Sequence, residues 1–464
     1  VNAIEALQEL RDDAAPIAQA FSAAGFSLHA VGGSVRDALL GESRREGDYE
    51  IDFTTNARPD DIARIMAPLC TSLWEQGRAF GTIGGFLKDG AYKAEVTTYR
   101  SEAYVDHSRK PAVQFGDDLD VDLGRRDFTI NAIAFDVVAS VGGPHDPFGG
   151  ISDLSARRLR SPFDPEVLFS DDPLRMLRAA RFAARFHLAI DPSIEEAATK
   201  LAERLAIVSA ERVRGELDLL MVTEQPSIGL SFIERTGLAS YFLPELPGLR
   251  LEQDPIHQHK DVFSHTLAVV DKTSPQLILR LAALFHDIGK PKTRAITEDG
   301  VTFRFHEVVG AKMTKKRMEA LKYSQDVIDD VTALVELHLR FHTYKLGWSD
   351  KAVRRYVRDA GSLLEELNEL TRCDCTTRNA RKAATLAKRM DELEIRIGEL
   401  REAEDLSRIR PALDGVSVME VLGIAPGRAV GEALDFLMEI RMDEGVISED
   451  DAKDRLRNWW AKRS

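Results

Sequence analysis

Val31-Gly32-Gly33-Ser34-Val35-Arg36-Asp37 ends a β-type run on two glycines and opens a helix on a serine. Glycine lets the backbone come close to a ligand, and the amides at a helix N-terminus favour phosphate. Downstream stands Asp48-Tyr49-Glu50-Ile51-Asp52-Phe53. On a strand alternate side chains share a face, so Asp48, Glu50 and Asp52 point one way and Tyr49, Ile51 and Phe53 the other. Carboxylates stacked on one face repel unless a cation sits between them. Two Mg²⁺ ions held there would activate an attacking hydroxyl and stabilise a pyrophosphate leaving group. A third carboxylate, Glu95 in Lys93-Ala94-Glu95-Val96-Thr97-Thr98-Tyr99-Arg100, lies on another predicted strand and is placed to complete the cage.

Outward from this stretch, residues 1–25 predict a helix, because Ile4, Leu7, Leu10, Ala14, Ile17 and Phe21 recur at three- and four-residue steps. Short β-type runs follow: Leu28–Val31, Ile51–Thr54, Thr82–Leu87, Ala91–Tyr99 and Asn131–Val138, with a helix over Pro59–Leu69. That texture predicts a small α/β domain with one sheet. After Asp146-Pro147-Phe148-Gly149-Gly150 strand signals nearly vanish, and helical periods run from Pro165 to Thr223. Glu252–Pro255 reads as a linker, and Arg378–Ile409 as one long charged helix.

The chain has 464 residues, more than one compact core needs. Its net charge of −14 argues against wholesale coating of nucleic acid, while leaving room for RNA held by local basic patches. Those patches are sought at Lys312–Arg317, Arg372–Lys382 and Lys388-Arg389. Three cysteines cannot make a disulfide framework, and no apolar run approaches a membrane span. With no basic-then-apolar leader pattern in the first residues, we expect a cytoplasmic protein without a membrane partner.

Six motifs in order carry a specific resemblance: Val31–Gly41, Asp52–Pro59, Glu95–Arg100, Leu123–Ala134, Asp146–Gly150 and Phe169–Phe182. Together they resemble the bacterial and eukaryotic class of tRNA CCA-adding enzymes and poly(A) polymerases, within the polymerase β nucleotidyltransferase superfamily. The resemblance implies Mg²⁺ on an Asp-x-Asp pair. Aligned on the Phe-Thr-Thr-x-Ala-Arg-Pro run that pair is Glu50 and Asp52; measured forward from Gly33 it is Asp48 and Glu50. We favour Glu50 and Asp52, because loops change length more easily than strands change register. The family's Arg-Arg-Asp motif for ribose and triphosphate corresponds to Arg125-Arg126-Asp127, and Arg100–Gly116 resembles the loop that CCA-adding members use when switching from C to A.

Asp171-Asp172-Pro173-Leu174-Arg175 predicts a helix start with capping aspartates, and Asp172, Arg175 and Arg178 share one arc of it, which Arg181 continues. In the family this position is an amino-acid template. A carboxylate accepts from the amino group that cytosine and adenine share, and a guanidinium donates to the adjacent ring nitrogen. Uracil and guanine leave the carboxylate facing an acceptor, which rejects them.

Seven of the 11 histidines fall between His257 and His342. His265, His286-Asp287, His306, His338 and Asp374 converging from several helices would hold one or two divalent transition metals. Their order resembles the HD phosphohydrolase domain.

The expected fold is α+β: a polymerase β-type α/β head over 1–150, an all-helical neck over 151–250, an HD domain over 251–376 and a helical tail over 377–464. The expected function is CTP(ATP):tRNA nucleotidyltransferase. Glu50, Asp52 and Glu95 are the catalytic carboxylates; Gly33, Arg36, Arg126, Arg178 and Arg181 hold phosphate and sugar; Asp172 and Arg175 choose the base. The partners are tRNA, CTP and ATP. The rivals are an A-adding enzyme or poly(A) polymerase on the same scaffold, and a protein acting chiefly as an HD phosphohydrolase.

Overall fold

The computed structural model describes residues 2–42, 49–87, 92–103, 112–139, 142–251, 261–297, 300–344, 348–375, 380–404, 406 and 409–463. The chain forms two compact units, Val1–Phe242 and Leu243–Ser464.

Helix α1 (Ala3–Ala23) opens the first unit. Asn2 and Glu5 cap its start reciprocally, and Leu10, Ile17 and Phe21 are buried along one stripe. Strands β1 (Leu28–Val31) and β2 (Tyr49–Thr55) follow, separated by α2 (Gly33–Leu39). Next come α3 (Pro59–Met66), β3 (Cys70–Trp74), β4 (Thr82–Leu87) and β5 (Tyr92–Thr98). With β8 (Ala134–Asp136) these strands make one six-stranded sheet in the order β3-β4-β5-β2-β1-β8. Only β2 and β5 run parallel within it. Ile51 and Phe53 are buried, while Glu50 and Asp52 alternate onto the open face.

Two features differ from the sequence expectation. Strand β3 carries Thr71 and Ser72 exposed at the sheet edge, so it lacks the apolar alternation by which strands are read. Residues Arg100–Ala103 (β6) and Ala112–Phe115 (β7) pair as an antiparallel hairpin where a loop was expected, and residues 104–111 between them lie outside the described residues.

Helices carry the chain onward: α4 (Leu119–Gly124), α5 (Gly150–Ser155), α6 (Pro165–Asp171) and α7 (Leu174–Phe186). After them come α8 (Pro192–Lys200), α9 (Ala210–Met221), α10 (Ser227–Arg235) and α11 (Ala239–Phe242). Helix α7 packs on α9 and α10, burying Met176, Leu177, Ala180 and Ala183. Its start corrects the expectation. Asp171 ends α6, Asp172 is extended, and α7 begins at Leu174 behind Pro173. Proline disfavours helical backbone in the residue before it, which breaks the chain at Asp172.

Among its described residues the second unit is helical apart from a ribbon pairing Ala295–Thr297 with Gly300–Thr302. Helices α12 (Val262–Lys272), α13 (Leu277–Phe285), α14 (Lys290–Thr293), α15 (His306–Ala320), α16 (Gln325–Leu337), α17 (Asp350–Ala360) and α18 (Leu364–Asp374) precede the long α19 (Ala380–Ala403). The linker expected at 252–255, with His257 and His259, lies outside the described residues. Three last helices, α20 (Gly415–Leu422), α21 (Arg428–Glu444) and α22 (Glu449–Ala461), close over Val418, Leu437 and Leu456. Among the described residues no helix is long and apolar enough to cross a membrane.

Candidate active site and metal centre

The parallel register of β2 and β5 sets Glu50 opposite Lys93 and Asp52 opposite Glu95. Carboxylate oxygens of Glu50, Asp52 and Glu95 therefore lie within 4.8 Å of one another. The Asp52 side chain is exposed on the open face of the sheet, yet protein packed around the cleft wall still desolvates its carboxyl. Burial pushes its carboxyl up to about 6, with Glu50 and Glu95 adding to the rise and Arg126 opposing it. An oxygen-only donor set whose central carboxyl resists ionisation fits a hard divalent cation. Asp48, the alternative partner, lies outside the described residues.

The glycine turn abuts this cage. Gly32 has φ +71°, a conformation that penalises any side chain, and a Cβ there would stand 3.6 Å from the Arg126 guanidinium and 3.7 Å from Asp52. Gly33 opens α2.

A cleft of about 420 Å³ runs from Asp52 to α7 and α9. Eight arginines line it against three aspartates, a balance suited to a polyphosphate. Most of these guanidinium groups are braced from behind. Arg36 is buried, donating to Asn131 Oδ1 at 2.5 Å and Asp37 Oδ1 at 2.8 Å. Arg125 and Arg126 share buried Asp122, at 2.9 and 3.4 Å. Arg178 binds Asp127 at 2.6 Å, and buried Arg181 donates to Glu216 at 2.6 Å. Burial works to raise the Asp127 carboxyl, yet the Arg178 charge and the Asn131 hydrogen bond outweigh it and hold it at about 2.

Asp172 and Arg175 face the same cleft. Arg175 donates to the Arg125 carbonyl at 3.0 Å, tying α7 to the Arg-Arg-Asp turn. Asp172 accepts from the Leu174 amide at 3.2 Å and from Arg212 at 2.8 Å. Arg212 and Glu216 were not read from the sequence. They sit four apart on α9 and so share a face, a signal that becomes legible only once α9 is known to flank α7. Lys93 was likewise unassigned, and Asp127 was read only as part of the Arg-Arg-Asp motif.

In the second unit, the ends of helices converge. Nε2 of His265 lies 3.2 Å from Nε2 of His286 and 2.9 Å from Asp374. Asp287 lies 3.2 Å from His286 and 3.3 Å from His306, whose Nε2 is 3.3 Å from that of His338. His286, His306 and His338 each donate Nδ1–H to a backbone carbonyl three residues earlier, at 2.7, 2.8 and 2.7 Å. Since a carbonyl can only accept, each of these rings points Nε2 inward, and in the neutral ring that atom carries the lone pair. Lone pairs facing at 3.3 Å repel unless a cation joins them, so this N/O donor set fits a transition metal. Burial pushes the His338 imidazole down to about 4, which keeps it neutral and able to coordinate. Gly289 is required here: a Cβ would meet the His306 carbonyl at 2.1 Å.

The expected basic patches are partly spent internally. Arg317 pairs with Glu245, Arg372 with Asp391 and Glu394, and Arg389 donates to the Tyr344 carbonyl.

Comparison with known proteins fits this geometry. Residues 28–160 match the "Poly A polymerase head domain" family, 187–249 the "Probable RNA and SrmB- binding site of polymerase A", and 262–395 the "HD domain". The A-adding tRNA nucleotidyltransferase of Deinococcus radiodurans is 31% identical, over 92% of this chain and 94% of its own. The CC-adding tRNA nucleotidyltransferase of Thermus thermophilus is also 31% identical, over 92% and 93%. The crystal structure of the Bacillus stearothermophilus CCA-adding enzyme in complex with CTP superposes with a TM-score of 0.69 at 27% identity, covering 97% of this chain and 98% of that one. This chain belongs to the family of tRNA nucleotidyltransferases and poly(A) polymerases, with an HD domain.

Proposed function

We propose that the chain is a CTP(ATP):tRNA nucleotidyltransferase that adds the 3′-terminal CCA without a nucleic-acid template. The observation that carries this reading is a cleft that runs from Asp52, one of the three clustered carboxylates, along a wall of arginines to Asp172 and Arg175. The structural relative named a CCA-adding enzyme and the resemblance of residues 100–116 to the loop that CCA-adding members use support full CCA addition over C addition alone. Mg²⁺ held by Glu50, Asp52 and Glu95 would lower the pKa of the RNA 3′ hydroxyl and offset charge on the triphosphate.

The chain's own groups do the rest. Gly33, Arg36, Arg126, Arg178 and Arg181 surround triphosphate and ribose with amide and guanidinium donors. Asp172 accepts from the amino group of cytosine or adenine, and Arg175 donates to the ring nitrogen beside it. Uracil and guanine leave Asp172 facing a carbonyl, an unpaired contact that rejects them by on the order of 10⁴-fold. The His265–His286–Asp374 and Asp287–His306–His338 clusters form a second site for a divalent transition metal and a phosphohydrolase activity.

The Deinococcus radiodurans relative favours one rival, A addition to tRNAs already ending in CC. Labelled CTP or ATP supplied with tRNA lacking CCA, tRNA ending in CC, and unstructured RNA separates the readings. Addition of C to the first substrate is expected. A added only to the second would establish the A-adding rival, and long A tails on the third a poly(A) polymerase. Metal-dependent phosphate release without any addition would leave the HD site as the main activity.

A further inference from the structure

Lys93 occupies a position that catalysis as described does not use. It stands opposite Glu50 across the β2–β5 ladder and two residues before Glu95 on the same strand face. Its ammonium lies 2.6 Å from Glu50 Oε1 and 2.9 Å from Glu95 Oε1, in the space between the two outer carboxylates. From the other side the Trp74 ring backs it, 5.5 Å away. The Glu50 side chain, one methylene longer than aspartate, is engaged by this ammonium.

We propose that Lys93 is an internal counter-ion of the carboxylate cage, competing with a divalent cation for Glu50 and Glu95 and so setting how much cation the site requires. The proposal rests on the cage being the cation site. An ammonium donates to carboxylate oxygens but cannot bridge a hydroxyl to a phosphate, so it keeps the carboxylates together without serving the reaction. A divalent ion entering the cage takes over Glu50 and Glu95, and the ammonium moves towards solvent or an incoming phosphate. Asp52, opposite Glu95 and next to the glycine turn, then shares the ion with them.

The test is direct titration of Mn²⁺, with free ion counted by electron paramagnetic resonance, on the full chain and on Lys93→Met, Lys93→Arg and Asp52→Asn. Methionine keeps a linear side chain against Trp74 and removes the charge. Lys93→Met should bind Mn²⁺ at the cage about tenfold more tightly, on the scale of removing one competing charge from a half-exposed site. Lys93→Arg should stay within about twofold of wild type. Asp52→Asn should lose the cage ion while the histidine cluster keeps its own. Trp74 emission, isolated by difference against Trp74→Phe, should shift on Mn²⁺ addition to the wild type and not to Lys93→Met. Unchanged or weaker Mn²⁺ binding in Lys93→Met overturns the proposal. If Asp52→Asn binds as many ions as wild type, the failure lies instead in the reading of the cage.

Discussion

The two candidate metal sites differ in how much of their geometry the chain fixes in advance. In the head, three carboxylates on neighbouring strands stand on an open face, and the Lys93 ammonium holds two of them. In the second unit, three of the four imidazoles are locked by Nδ1–H donation to their own backbone, and the cluster is almost wholly buried. Flexible oxygen ligands at a surface suit an ion that arrives with its nucleotide and leaves with pyrophosphate. Oriented nitrogen ligands in a dry interior suit an ion that stays. The difference predicts exchangeable metal in the head and retained metal in the HD unit.

The sharpest way to break this comparison is to remove one ligand from each site. Asp52→Asn should cut nucleotide addition by on the order of 10³-fold, the scale of losing a transition-state charge partner, and leave tightly retained metal unchanged. His286→Ala should do the reverse. Elemental analysis after gel filtration should show its retained metal lost, while nucleotide addition on a short acceptor RNA stays within about threefold. Brief chelation should likewise abolish addition reversibly before it empties the histidine cluster. Loss of nucleotide addition and retained metal together in either variant would contradict the separation.

Legibility in the sequence followed the same divide between first contacts and their supports. Strands Leu28–Val31 and Thr82–Leu87 were readable to the residue, because apolar side chains with flanking glycines mark them. The cage was readable because strand alternation is a fixed period. Arg212, Glu216 and Lys93 were not, since each looks like an ordinary surface charge until tertiary packing gives it a partner, and the Asp127 motif did not reveal its pairing with Arg178. Helix α7 was readable in existence but shifted at its start, where Pro173 governs the backbone of Asp172.

Those supporting groups give smaller, graded predictions. Arg212→Ala removes one of the two donors that hold the Asp172 carboxylate, so selection for C and A over U and G should fall by about tenfold, with little change in overall rate on CTP. Asp127→Asn should cost about 2 kcal/mol near neutral pH, read as a lower midpoint in urea. The sign of its pH dependence follows from a folded-state pKa of about 2 against an ordinary 3.8. That stability is fully present above the unfolded value and lost as pH falls through the folded one. The gap between wild type and Asp127→Asn should therefore close between about pH 4 and pH 2. A constant gap across that window would show that Asp127 acts through packing and not through its charge.

The central claim is that Asp172 and Arg175 choose the base for an ion-loaded carboxylate cage. Its most direct measurement is sequencing of tRNA 3′ ends after incubation with equal CTP, ATP, UTP and GTP, for wild type and Asp172→Ala, starting from tRNA that lacks CCA. Wild type should yield CCA ends almost alone, and Asp172→Ala should yield mixed bases while still extending the RNA. Absence of added C in the wild type, or unchanged CCA ends in Asp172→Ala, would contradict the account.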